Sequence, residues 1–338
     1  MSTLSPNPKV TIAIPVYNSA ATLPRCLESA MAQSVRDIEI LVVDDGSSDA
    51  SATVAAEFAR RDQRIRLLRM PTNGGKSRAM NRMTDEARGE WFAVLDADDA
   101  YLPQRLERLL GAADAAEVEM VADNITYFDG GVGCAVQTAF DPTAPMRFVT
   151  KCDLAANSNS FATFDFGILK PMMRREFLLQ HRLRYHEDSV LSEDFYYLMN
   201  FFVAGGRGHI ISEPLYQWTM PFGAISRRWT ETGNGAWRYD YRNALRANQH
   251  FLADMTRRGE TEMVTMLRAR ERQYISMIHY IDAQRAAADR RFVAAALNIG
   301  LHPSTYGVLA NRIVGRVMRT VRQKIGRTQR LATQGLSQ

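Results

Sequence analysis

The chain has 338 residues, 42 Lys+Arg against 37 Asp+Glu, 46% hydrophobic residues and three cysteines. That length suits one large α/β domain plus a smaller segment, and the ordinary apolar content excludes bulk disorder. Cys26, Cys134 and Cys152 stand far apart with no CxxC pair, which excludes a disulfide scaffold and a cysteine zinc site and predicts a reducing, cytoplasmic setting.

Residues 1–9 are polar and carry no apolar run of the secretory kind. Short β-branched runs bounded by turn residues follow at 10–14, 38–43, 65–68, 91–95 and 118–122 and predict buried strands. Between them, 20–33, 50–60, 76–88 and 103–115 fit helices. In the last of these, Leu106, Leu109, Leu110 and Ala113 make an i, i+3, i+4, i+7 stripe behind Pro103. The alternation predicts an α/β fold with a mostly parallel sheet and helices on both faces. Residues 123–165 read as irregular. A further strand is expected at 164–169, and helices at 171–180 and 193–203. Beyond about residue 233 the chain reads as helical, at 236–255, 261–288 and 292–299. The longest uncharged stretch, 292–311, is too polar and broken to span a membrane. The expected division is 1–232 for the α/β domain, 233–304 for a helical region and 305–338 for a basic tail.

Ligands of parallel α/β sheets bind beyond the carboxyl ends of the strands. Four polar clusters fall at those points: Pro15-Val-Tyr17-Asn18, Asp44-Asp45-Gly-Ser-Ser-Asp49, Asn73-Gly-Gly-Lys76-Ser-Arg-Ala-Met-Asn81 and Asp96-Ala-Asp98-Asp99. Carboxylates packed like Asp96 and Asp98, with no basic neighbour in sequence, repel one another unless a cation relieves them, and hard oxygen ligands suit Mg²⁺ or Mn²⁺. Asp99 has a second reading as a helix cap ahead of Pro103, and Asp49 reads as a cap. Asp44 and Asp45 are placed to accept hydrogen bonds from a ribose or a base, or to hold the turn. Gly74-Gly75-Lys76 before a helix is a weak phosphate cradle and not a Walker motif. The first strand-to-helix turn has no G-x-G-x-x-G, which argues against a nicotinamide-dependent oxidoreductase.

In order and spacing, these four motifs resemble family 2 glycosyltransferases of the GT-A fold. Ser192-Glu193-Asp194-Phe195-Tyr196 resembles that family's ED motif. The stretches 166–171 and 213–216 resemble the bacterial succinoglycan-type exopolysaccharide glucosyltransferases. The resemblance implies that Pro15 and Tyr17 line the nucleobase pocket and that Asp45, with Asp44, binds uridine. It implies that Lys76 and Asn81 flank the nucleotide, that Asp96 contacts the ribose or diphosphate, and that Asp98, with Asp96, holds Mn²⁺ or Mg²⁺. Asp194 would be the catalytic base, with Glu193 beside it. Asp194 opens the apolar run 195–204, so desolvation is expected to raise its pKa. Without the resemblance, Glu193 and Asp194 read equally as acids favoured by a helix N-terminus.

The implied activity is inverting, non-processive transfer of a sugar, glucose by the resemblance, from a UDP-sugar to a glycan or lipid-linked acceptor in cell-surface polysaccharide synthesis. The alternative is a catalytically silent sugar-nucleotide-binding protein of the same pathway. Processive members carry Q-x-x-R-W; here Arg228-Trp229 is preceded by Ile225 in place of the glutamine. Arg227 and Arg228 read as a basic patch beside the diphosphate or as a solvated pair. His181 and His186 are candidates for acceptor contact or plain structure, whereas Tyr196, Tyr197, Phe201 and Phe202 read as core.

The basic character is local. Residues 305–338 hold seven basic residues and no acid, leaving 1–304 at net −2. Ile313, Val314, Val317, Met318, Val321 and Ile325 recur at helical spacing among those arginines, which predicts a basic amphipathic helix over 306–330. Such a helix suits the anionic inner face of a cell membrane; packing on the protein is the second reading. No aromatic pattern supports nucleic-acid binding. Five of the 42 basic residues are lysine, a bias read as genome composition rather than function.

Overall fold

The computed structural model describes residues 7–131, 133–145, 147–157, 166, 169–187, 192–220, 241–302 and 305–307. Its first half alternates β1 (Val10–Val16), α1 (Leu23–Met31), β2 (Ile38–Asp44), α2 (Ser51–Arg61), β3 (Ile65–Arg69), α3 (Lys76–Glu86) and β4 (Trp91–Val94). Then follow β5 (Ala100–Tyr101), α4 (Arg105–Ala116), β6 (Met120–Asp129), β7 (Cys134–Thr138), β8 (Arg147–Val149) and α5 (Lys151–Asn157). The remainder comprises β9 (Met172–Arg174), α6 (Arg175–Gln180), α7 (Glu193–Val203), β10 (Gly208–Met220), α8 (Tyr241–Arg257), α9 (Thr261–Ala288) and α10 (Phe292–Gly300).

The strands form one sheet in the order β3-β2-β1-β4-β9-β6-β10-β5, with β7 on β6 and β8 on β10. The half β3-β2-β1-β4 is parallel, as the alternation predicts. Its inner strands β2, β1 and β4 are buried on both faces: β2 has no exposed position, and β1 pairs with β2 from Val10↔Ile38 to Val16↔Asp44. Helix α1 lays Leu23, Cys26, Leu27 and Ala30 on this core, an i, i+3, i+4, i+7 stripe. The other half is mixed in direction: β10 runs parallel to β6, while β9, β7, β8 and β5 pair antiparallel.

Three expectations change. Residues 171–180 are not one helix: Met172–Arg174 is a strand inserted between β4 and β6, and only Arg175–Gln180 is helical. Met172 and Met173 are fully buried, one toward each side of the sheet, because β4 and β6 both need a hydrogen-bonding neighbour there. Within 164–169, the described residues Phe166 and Leu169 belong to no strand. The described residues within 123–157 hold more regular structure than expected, since β6 runs on to Asp129 and β7, β8 and α5 follow.

The C-terminal helices join the same core. α9 packs on α8, α10 and α5, and Phe251, Met255, Met263 and Leu267 belong to the main apolar cluster. Tyr196, Tyr197, Phe201 and Phe202 are buried in that cluster, as expected. Arg227, Arg228 and Trp229, and the tail from residue 308 onward, lie outside the described residues.

Candidate active site

In the parallel half of the sheet, β1 leads to β2 on one side and is flanked by β4 on the other. The order reverses between β1 and β4, where a doubly wound sheet opens a crevice at its carboxyl edge. All four polar clusters sit on that edge.

The loop after β1 is laced to the loop after β2. Asn18, in the left-handed region at φ 49, accepts hydrogen bonds from the Ser48 and Asp49 amides at 2.8 and 3.3 Å. Asp49, expected as a cap, stands one residue ahead of the Ala50 N-cap and accepts from the Ser51 amide at 2.9 Å and the Ala20 amide at 3.0 Å, joining the two loops. Asp44 is fully buried, accepts from the Ser47 amide and lies 3.6 Å from Arg69. Asp45 receives the Gly74 and Gly75 amides, both at 2.8 Å. Burial pushes its pKa up, and those two N–H groups oppose the rise. Its carboxylate therefore fixes the third loop to the second, and each oxygen keeps a lone pair for a further donor. Gly46, at φ +68, allows this approach, since a β-carbon there would stand 2.6 Å from the Asn73 nitrogen. Pro15 and Tyr17 are half-buried beside these loops. Asn81 turns its amide to the Tyr185 backbone, donating to the carbonyl at 3.0 Å and accepting from the N–H at 2.8 Å. In this state it anchors the segment that leads toward α7.

The charged centre joins four stretches of chain. Asp96 follows β4, Lys76 opens α3, Lys170 precedes β9, and Glu193 and Asp194 open α7. Lys76 Nζ lies 3.2 Å from Asp96, 3.3 Å from Asp194 and 4.0 Å from Glu193. Lys170 Nζ lies 3.0 Å from Asp96 and 2.8 Å from Asp194. Two ammonium groups thus bridge the same two carboxylates, which are far apart in sequence. Sequence reasoning named Lys76 and missed Lys170.

This bridge corrects an expectation. Burial alone would raise the pKa of Asp194, but Lys170 and Lys76 outweigh it and hold the carboxyl below the usual carboxylate range. Asp96 is likewise held low by the same two lysines against burial. Glu193 moves up, through burial and then the Asp194 charge, and so does Asp98, through burial and then Asp96. Asp99 is no cap. α4 begins after Gln104, and the buried Asp99 carboxylate accepts from the Tyr216 hydroxyl at 2.6 Å and the Thr219 amide at 2.8 Å, tying the end of β4 to β10. His181 stacks on Phe177, and His186 faces His250, so the structure gives both side chains packing partners.

Among the described residues no group of three or more His, Cys, Asp or Glu is arranged to hold a metal alone. A Mg²⁺ or Mn²⁺ ion completed by substrate phosphates and water needs only one or two carboxylates. Asp96, Glu193 and Asp194 lie against the two ammonium groups, and Asp98 follows Asp96 by two residues. The Asp98 pKa is pushed up by burial and then by the Asp96 charge, a repulsion that a divalent cation would relieve. The donor set fits such an ion.

The GT-A glycosyltransferase fold accounts for this architecture. The structure of Staphylococcus aureus TarS 1–349 in complex with UDP-GlcNAc superposes with a TM-score of 0.55 at 16% identity, covering 88% of this chain and 92% of that one. The mannosyltransferase PcManGT from Pyrobaculum calidifontis, in complex with GDP-Man and Mn²⁺, superposes with a TM-score of 0.51 at 17% identity, covering 91% and 80%. More narrowly, residues 11–172 match the family profile "Glycosyl transferase family 2", and the domain they form belongs to that family. The succinoglycan biosynthesis protein ExoO of Rhizobium meliloti (strain 1021) is 34% identical over 221 residues, 65% of this chain and 63% of that protein's length. ExoU of the same organism is 29% identical over 313 residues, 90% of this chain and 87% of that protein.

Proposed function

We propose that the protein is an inverting, non-processive, metal-dependent glycosyltransferase. It moves a sugar, glucose by its likeness to the succinoglycan proteins, from a UDP-sugar to a glycan or lipid-linked acceptor in bacterial exopolysaccharide synthesis. The observation that carries the reading is the convergence of Asp96 and Asp194 on one ammonium pair at the sheet's switch point. It supports a donor-side role for Asp96 and the role of base for Asp194, since the same two ammonium groups hold both carboxylates.

In this reading Pro15, Tyr17 and Asp45 receive the uracil and Asp44 supports the turn beneath it. Lys76 faces the diphosphate, and Asn81 holds the wall behind it. Asp98 and Asp96 would hold Mn²⁺ or Mg²⁺, which supplies positive charge to the departing diphosphate. Asp194 takes the proton from the acceptor hydroxyl as its oxygen bonds to the anomeric carbon and the bond from that carbon to the diphosphate oxygen breaks. Lys170 and Lys76 keep Asp194 ionised despite its burial, the state in which a carboxylate can accept a proton. Glu193, its pKa pushed up by burial and then by the Asp194 charge, stands beside the base to orient an acceptor hydroxyl.

The acceptor would be met at the cytoplasmic face of the membrane, reached through the basic segment 306–330. No helix among the described residues is long and apolar enough to cross a membrane. One observation supports peripheral contact. On α10, Phe292 and Val293 are 68% and 75% exposed beside Arg290 and Arg291. The test is a panel of UDP-, GDP- and dTDP-sugars with Mn²⁺ and a membrane lipid extract, read by mass spectrometry. Sugar transfer with wild type and its loss in Asp194→Asn is the expected result. Donor binding without transfer to any acceptor would favour the silent sugar-nucleotide-binding protein, and full transfer by Asp194→Asn would remove Asp194 from the role of base.

A further inference from the structure

Lys170 is mounted more firmly than an ion pair requires. Its side chain is 10% exposed. Its backbone carbonyl accepts a hydrogen bond from Arg105 Nη2 at 2.5 Å. Arg105 is fully buried, with Nε and Nη2 on the Asp123 carboxylate at 2.7–3.1 Å and its guanidinium 4.0 Å from the centre of the Tyr101 ring. On the other side Pro171 restricts Lys170 to extended backbone, and the strand that follows is paired along both edges. The ammonium is thus delivered from a fixed point into the gap between the donor-side carboxylate and the base.

The residue type is informative as well. Only five of the chain's 42 basic residues are lysine, yet two of the five meet here. An arginine fork would lock onto one carboxylate, whereas an ammonium is a point charge that can divide three N–H bonds among several oxygens. Two of those directions serve Asp96 and Asp194. Once Asp96 turns to a ribose or a cation, Lys170 has positive charge to offer at the place where the leaving group gains negative charge.

We propose that Lys170 is a diphosphate-binding residue: its ammonium, held between Asp96 and Asp194, takes an oxygen of the terminal phosphate of the nucleoside diphosphate and keeps that phosphate beside the base. The proposal rests on the donor-binding reading above, and its test separates the two. UDP and UMP share base, ribose and first phosphate, so their affinity ratio reports the second phosphate alone. Calorimetry at fixed Mn²⁺ on the full chain gives that ratio for wild type, Lys170→Gln and Lys170→Arg. UMP binding also reports whether each variant is folded.

The expected result is that Lys170→Gln weakens UDP by about tenfold or more, the scale of one charged hydrogen bond, and leaves UMP within about twofold. Lys170→Arg, which keeps the charge, should recover part of the ratio. An unchanged UDP-to-UMP ratio in Lys170→Gln overturns the proposal while the nucleotide-binding reading stands. An equal loss of both nucleotides also overturns it, since that would make Lys170 a support of the site's shape. If wild type binds no nucleoside diphosphate of any base, both readings fall together.

Discussion

Asp194 illustrates how neighbours decide what a residue can do. At the start of an apolar helix, desolvation argues for a raised pKa, but two ammonium groups within 3.3 Å reverse the sign. The pH dependence follows. In the role proposed for it Asp194 works ionised, so activity is expected to fall as pH drops through its pKa, and a depressed pKa places that fall at low pH. Removing one ammonium lets the carboxyl hold its proton to higher pH. Lys76→Gln is therefore expected to move the acidic limb of kcat upward, measured as kcat against pH at saturating donor; a limb that stays in place would show that Lys76 does not set the charge of the base. The acids were legible in the sequence because carboxylates crowd at strand ends with no local cation. The cations were not, because Lys170 arrives from a segment whose local pattern says nothing about β4. Its one visible signal was being a lysine in an arginine-rich chain. Asp99 was misread for a related reason: its partners, Tyr216 and Thr219, lie on a strand more than a hundred residues away.

Among the elements, those with strong local periodicity were readable and those defined by pairing were not. α7 and α9 fall where their sequence places them, whereas β9 and β10 exist because of what lies beside them. α9 also reaches the site. Ser192, the residue before Glu193, sits at φ 64, a backbone conformation that costs a non-glycine residue about 1–2 kcal/mol. Its hydroxyl is held by Tyr274 OH at 3.0 Å and by Arg270 Nη2 at 3.3 Å, both from α9. Arg270 in turn donates to Tyr274 OH at 2.8 Å and lies over the Phe195 ring. The C-terminal helices thus fix the turn that aims Asp194. Tyr274→Phe is expected to lower kcat several-fold with donor KM little changed, in steady-state kinetics with varied donor; an unchanged kcat would make the contact irrelevant to the base.

Elsewhere the buried pair Arg105–Asp123, 0% and 2% exposed, joins α4 to β6. Removing one partner strands a charge in the core and should cost about 3–5 kcal/mol, while replacing both with apolar residues should cost less. Urea denaturation of Asp123→Asn, Arg105→Met and Arg105→Met with Asp123→Leu checks the order; a double variant as unstable as the sum of the single ones would contradict it.

At the scale of the molecule, the parallel half of the sheet was predictable because βα alternation leaves few ways to bury such strands. The mixed half was not, since nothing local announces that β9 turns against its neighbours. Charge is also divided at this scale: residues 1–304 are slightly acidic, and the seven basic residues of 305–338 carry the excess. A slightly acidic body is repelled by anionic lipid, so the electrostatic attraction to such a surface would come from that segment. Each basic residue near an anionic leaflet contributes about 1 kcal/mol and loses most of it within a Debye length, about 8 Å at physiological salt. The exposed apolar residues of α10, directly ahead of the segment, would add a weaker hydrophobic contribution. Binding should therefore be strong on vesicles rich in phosphatidylserine, weak on neutral ones, and sensitive to salt. In sedimentation with vesicles of both compositions, the full chain is expected to pellet with the anionic set at low salt and to be released at high salt. Replacing Arg312, Arg316, Arg319, Arg322, Lys324, Arg327 and Arg330 by glutamine should abolish pelleting while sparing transfer to a soluble acceptor. Pelleting that survives both the glutamine variant and high salt would assign the contact to the apolar face of α10 and not to the charge.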